Sequence, residues 1–193
     1  MKINLKKTLF FAFLVVVSLS ACDTFNSVGQ QRAGVFLTID EIELNTGAGS
    51  LARVDEETGN ITANSDTVKI VFHNRPKSTR QTDSPWMDII TEEYQVTFYR
   101  IDGGTVVPNS LRRRLTVTVE FDNTYTVPSL TMLSAEQKIE SPLWELAVNG
   151  YDAETGLPVI EMNVMIEVFG KTTSGEQVYA YGWTSIAYGV TVE

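Results

Sequence analysis

Ile160, Met162, Val164, Ile166 and Val168 stand two residues apart in an unbroken row, with Glu161, Asn163 and Glu167 among the residues between them. Successive side chains of a strand point to opposite faces, so such a row buries one face of a β-strand, whereas a helix would scatter it. The same period recurs in Val68, Ile70 and Phe72, in Tyr94, Val96 and Phe98, and in Leu115, Val117, Val119 and Phe121. Ser129–Ser134 and Leu143–Val148 read as further strands. The Thr-, Ser- and Gly-bearing stretch Lys171–Glu176 predicts a turn, after which Gln177 to about Val192 returns as the hairpin partner of the 160–168 row. Val35, Leu37 and Ile39 share one phase, but Ile42 and Leu44 take the other. A strand changes face only through an extra residue, so a bulge or sheet switch is expected near Asp40-Glu41. The helical period is absent, with at most one turn over Asp88–Glu93, where Ser84 would cap and Pro85 would take the first position.

Eight or nine short strands separated by turn signals predict an all-β fold, an antiparallel β-sandwich spanning residues 34–193 as one domain. In pattern it resembles immunoglobulin-like sandwiches, whose first strand often crosses between sheets. At 193 residues and 43% hydrophobic composition, the chain is long enough to close a substantial core.

The N-terminus reads differently. Lys2, Lys6 and Lys7 precede an apolar run, Leu9 to Leu19, too short for a bilayer core that needs roughly 20 apolar residues. It has the length of a secretory signal. The run ends in Leu19-Ser20-Ala21-Cys22, and here the chain resembles the bacterial lipoproteins, whose lipobox places a Leu and two small residues before the acylated Cys. The resemblance implies a signal peptide over residues 1–21, cleavage between Ala21 and Cys22, and a lipid on Cys22 that tethers the protein to the membrane of a bacterial cell envelope. Several acyl chains, at about 0.8 kcal/mol per buried CH₂, anchor stably. The outer membrane is the expected site. Asp23, which in enteric bacteria tends to favour the inner membrane, leaves that choice open. Residues 22–33 read as a polar tether.

Charge narrows the partners. Residues 1–21 carry three of the 15 basic residues and none of the 24 acids, so the remainder carries 12 basic and 24 acidic groups, a formal −12. That field repels phosphate backbones and disfavours nucleic acid. Cys22, the one cysteine, excludes an internal disulfide and a Cys-rich zinc site, and the one histidine disfavours a His-based metal centre. The acidic turns Asp55-Glu56-Glu57 and Asp152 with Glu154 lack the spacing of a calcium loop and read as solvated. No metal or cofactor is implied.

The longest polar connection, His73–Glu93, holds the candidate binding residues His73, Arg75, Arg80, Asp83, Trp86 and Asp88. Long loops on a rigid scaffold are where binding concentrates. Trp86 is expected to pin this loop into the sandwich end; the alternative is an exposed anchor for a partner or a sugar ring. Tyr179, Tyr181 and Trp183 share one face of the last strand and are expected in the core or covering a neighbouring strand, with a sugar-stacking platform as the alternative. Arg112-Arg113-Arg114 is expected to precede its strand as charges that guard an edge. An acylated Cys22 supplies no thiol, and no Gly-x-Ser-x-Gly elbow accompanies His73. The expectation is a non-catalytic envelope module that binds or assembles with a protein. The alternatives are a glycan- or small-ligand-binding sandwich and, more weakly, a carboxylate-dependent hydrolase.

Overall fold

A computed structural model describes residues 33–55 and 57–189. The signal segment, Cys22, the tether before Ala33, and Glu56 lie outside those residues, as does the end of the last expected strand after Gly189. Within them the chain is an all-β antiparallel sandwich. The strands are β1 (Val35–Leu44), β2 (Arg53–Val54), β3 (Ile61–Thr62), β4 (Asp66–Pro76), β5 (Ile89–Arg100), β6 (Leu111–Arg114), β7 (Thr118–Val119), β8 (Thr124–Leu133), β9 (Val159–Thr172) and β10 (Gln177–Gly189). One sheet is ordered β1-β4-β8; the other runs β10-β9-β5-β6, with β7 also on β5, and β2 and β3 form a small hairpin.

The alternating rows become the core. Ile160, Met162, Val164, Ile166 and Val168 are all fully buried, as are Val68, Ile70 and Phe72 from the facing sheet. Each such side chain contributes about 1.5–3 kcal/mol relative to exposure. The hairpin β9–β10 pairs in unbroken register from Val159↔Gly189 to Lys171↔Gln177. β1 carries its bulge where the phase changes: the register with β4 shifts between Ile39 and Glu41. On either side of it Ile39 and Ile42 press on β10, where a Cβ at Gly182 would lie 2.7 Å from Ile42 Cδ1. A second bulge shifts β5 against β9 between Thr91 and Glu93. Here a Cβ at Gly170 would stand 2.6 Å from the Ile90 carbonyl oxygen, so the residue beneath this bulge must be glycine.

Four expectations are corrected. Leu143–Val148 is helical: α2 (Leu143–Asn149) follows α1 (Ala135–Lys138). Leu143 and Leu146, three apart, turn the same buried face inward, and a short apolar run does not declare its period. Of the row Leu115–Phe121, only Thr118 and Val119 pair as strand; Val119 is buried while Leu115, Val117 and Phe121 are half-buried against the core. The arginine run lies within β6 rather than ahead of a strand. It is tolerated because β6 is a sheet edge, where long cationic stems reach outward: Arg112 pairs with Glu93 and Arg113 Nη1 donates to Thr131 Oγ1 at 3.3 Å. The expected turn after Pro85 is a 3₁₀ turn over Pro85–Met87, and Ser84 makes no side-chain cap bond to it. Among the described residues the strands number ten, three of them two residues long.

Candidate functional site

The His73–Glu93 stretch is mostly strand. β4 runs on to Pro76 and β5 begins at Ile89, so the connection is residues 77–88. This divides the candidate residues. His73 and Arg75 project from the outer face of β4 toward Asp40 at the β1 bulge, with His73 Nδ1 3.1 Å and Arg75 Nη2 2.9 Å from Asp40 Oδ2. Thr38 Oγ1 donates to Asp40 Oδ1 at 2.9 Å. Burial opposes ionisation of Asp40, but hydrogen bonds from Thr38, Arg75 and His73 hold its carboxyl below the usual range. His73 Nε2 faces Asp122 Oδ1 at 4.0 Å. Both ring nitrogens thus face carboxylates, and the contact with Asp40 braces β1 to β4.

Asp88 is also a brace: its Oδ1 accepts the Phe121 N–H at 2.9 Å. Backbone bonds tie the 3₁₀ turn to the β9–β10 turn, with Thr173 N donating to Asp88 O and Ser174 N to Trp86 O. Arg80 and Asp83 are exposed. The Trp86 ring, expected in the core, is 68% exposed instead. The anchoring comes from the backbone, which frees the indole from packing.

The acidic turns resolve into internal clamps. Asp55 Oδ1 accepts the Glu57 and Thr58 N–H groups, an Asx turn. Asp152 and Glu154 converge with Asp102 on the Arg100 guanidinium, at 2.9, 3.7 and 2.7 Å respectively. Among the described residues no group of three or more His, Cys, Asp or Glu is placed to hold a metal ion.

A different feature faces outward. On the outer surface of the five-stranded sheet, Tyr179 lies opposite Phe169, Tyr181 opposite Glu167, and Trp183 opposite Met165; Tyr99 stands one strand further on, opposite Asn163. Tyr181 and Trp183 are 55% and 51% exposed, and Tyr99 is exposed as well. The row therefore covers its neighbours rather than entering the core, which is filled from the other face of β10 by Val178, Ala180, Ile186 and Tyr188. Ring centroids are 5.8 Å apart for Phe169 and Tyr179, 5.9 Å for Tyr179 and Tyr181, and 5.4 Å for Tyr99 and Trp183, with interplanar angles of 26°, 27° and 46°. These are offset and tilted contacts, in which neighbouring rings partly cover one another's faces. The strip was legible in part: Tyr99 and Phe169 follow Phe98 and Val168 and so occupy the outward phase of their strands, where a polar residue is usual.

The same sheet holds a shallow concavity of about 490 Å³ at the β5 bulge, lined by Glu92, Glu93, Arg114, Thr116 and Lys171 among others. Three of its charges are already paired, Lys171 with Glu92 at 2.7 Å and Glu93 with Arg112. By fold and surface, then, this is a β-sandwich with an aromatic strip on one outer face. Comparison with protein-family models, curated proteins and solved structures returns no match.

Proposed function

We propose that the chain is a bacterial envelope lipoprotein, anchored through Cys22, whose sandwich is a non-catalytic module that docks a protein partner on the strip Tyr99, Phe169, Tyr179, Tyr181 and Trp183. The observation that carries this reading is the exposure of Tyr181 and Trp183 on a regular sheet face where alternation would allow polar residues. Tyr and Trp are the residues that dominate protein interfaces, because they offer large area with few rotatable bonds and a polar rim. Interleaved rings suit partner side chains that enter between them. A glycan platform remains the second reading, favoured by the exposed Trp86 and Trp183 indoles. Against hydrolysis, the carboxylates shifted from their ordinary values, Asp152 and Asp102 among them, are shifted downward, while a general acid needs the opposite.

The test is gentle extraction of the tagged lipoprotein from its native envelope. One envelope protein is expected to co-purify in near-stoichiometric amount and to be lost on replacing Tyr181 and Trp183 by Ser, with unfolding temperature unchanged. A partnerless monomer whose emission responds to glycans would overturn the protein-docking reading in favour of the second. Anchoring is checked separately: Cys22→Ser is expected to leave an unprocessed, unacylated precursor, and normal maturation of that variant would end the lipoprotein reading.

A further inference from the structure

One acid lies between the tyrosines of the strip and another, Glu93, opposite Phe169. Glu167 sits opposite Tyr181 on β10 and Gln95 on β5, half-buried among the rings. Burial, and after it the charge of Glu167, holds the Tyr179 hydroxyl above its ordinary pKa. Two other acids near this face have cations, Glu93 with Arg112 and Glu92 with Lys171. Glu167 has no ion pair among the described residues. Glu167 thus presents a negative charge with no cation paired to it, and the aromatic faces beside it carry the negative side of the ring quadrupole. Carboxylate and rings therefore ask for the same thing, a cation.

We infer that the strip recognises an arginine side chain of a basic partner protein, its guanidinium lying against the Tyr181 ring, between Tyr179 and Trp183, and donating to Glu167. This rests on the docking reading above and names its chemistry. Guanidinium fits better than ammonium: it is planar, so it stacks on rings, and its forked donors match a carboxylate. Gln95 beside Glu167 supplies a further acceptor. Charge complementarity acts at longer range too, since a domain with 12 basic and 24 acidic groups beyond the signal segment draws a basic partner toward it.

The experiment uses the full detergent-solubilised chain in a Trp86→Phe background, so that Trp183 dominates the exposed-indole emission. The probes are a short blocked peptide alternating arginine with threonine and its counterpart with citrulline, which keeps the shape and removes the charge. The arginine peptide is expected to change Trp183 emission saturably at low salt. The citrulline peptide should bind about tenfold more weakly, and Glu167→Gln should cost the arginine peptide a similar factor. Glu120→Gln, an equal charge change elsewhere, should leave its affinity unchanged. Equal binding of the two peptides, or an equal effect of the Glu120 and Glu167 changes, overturns the arginine assignment. If neither peptide binds while the co-purifying partner still requires Tyr181 and Trp183, the cationic chemistry is wrong and the docking face stands. If that requirement also fails, both readings fall.

Discussion

Lys138→Met is expected to destabilise the domain by about 3–5 kcal/mol, the range for removing one partner of a buried ion pair, and to lower the unfolding temperature by roughly 10 °C. Lys138 is completely buried at the end of α1. Its Nζ donates to Asp66 Oδ1 at 2.7 Å and to the Ser50 carbonyl at 2.6 Å, and lies 5.8 Å from the Tyr188 ring centroid. Asp66 is satisfied on both sides. Its Oδ1 also accepts the Gly49 N–H at 3.2 Å, and its Oδ2 accepts the Tyr188 hydroxyl at 2.5 Å. Burial, with Asp66 next to it, drives the Tyr188 pKa far up, so the phenol stays a donor. The group joins α1, the start of β4, the end of β10 and the 49–50 loop. Methionine nearly preserves the packed volume, so the loss would measure an Asp66 charge stranded in the core. The control is Lys138→Met with Asp66→Leu and Tyr188→Phe, which removes the polar groups together and should recover most of the loss. Urea unfolding of the variants decides it; a Lys138→Met variant within 1 kcal/mol of the parent would mean that the ion pair contributes little.

This pair marks where the sequence stops being informative. Alternation shows which face of each strand is buried, because side-chain direction is fixed residue by residue, and the β1 bulge follows from the same rule. It could not show that Lys138, in a polar stretch, points inward, since that depends on Asp66 meeting it from 72 residues away. A local signal was present and went unread: Ser134 and Gln137 form a capping box, each side chain closing the other's backbone N–H, which announces α1. The bounds of the candidate loop were hidden for a related reason. His73 and Arg75 look like loop residues, yet both reach Asp40 at the β1 bulge, and β4 continues through them. The aromatic strip was half legible. Spacing placed Tyr179, Tyr181 and Trp183 on one face, but only pairing with β9 and β5 revealed which way that face turns and brought Tyr99, Phe169 and Glu167 to it.

Arg100→Ala is expected to cost a comparable 3–5 kcal/mol at neutral pH, with a difference from the parent that shrinks on acidification. The Arg100 guanidinium is 1% exposed at the end of β5 and meets Asp102 through Nε at 2.7 Å and Nη2 at 2.8 Å, and Asp152 through Nη2 at 2.9 Å. The carboxylates in turn collect backbone donors: Gly104 and Glu161 to Asp102, Thr155 to Asp152, and Thr105 and Val106 to Glu154. One guanidinium thereby organises both connections at that end of the sandwich. Lysine could not replace it, lacking the planar fork. The hydrogen bond from Arg100, against the opposing effect of burial, pulls the Asp152 carboxyl from 3.8 down to about 2. Asp102 is also lowered: burial works against it, but Arg100 and the backbone donors prevail. A carboxyl whose folded pKa lies below its unfolded value stabilises the fold at pH above the unfolded value, and that contribution is lost as pH falls through the folded one. For Asp152 alone it is about 2 kcal/mol, present above pH ~4 and gone near pH 2. In Arg100→Ala the same carboxyls are buried beside no cation, so protonation relieves them rather than undoing a bond, and acid should narrow the gap between the two proteins. Urea midpoints at pH 7, 4, 3 and 2 test this directly: converging curves place the acid sensitivity at Arg100 and its carboxylates, and parallel curves would refute it.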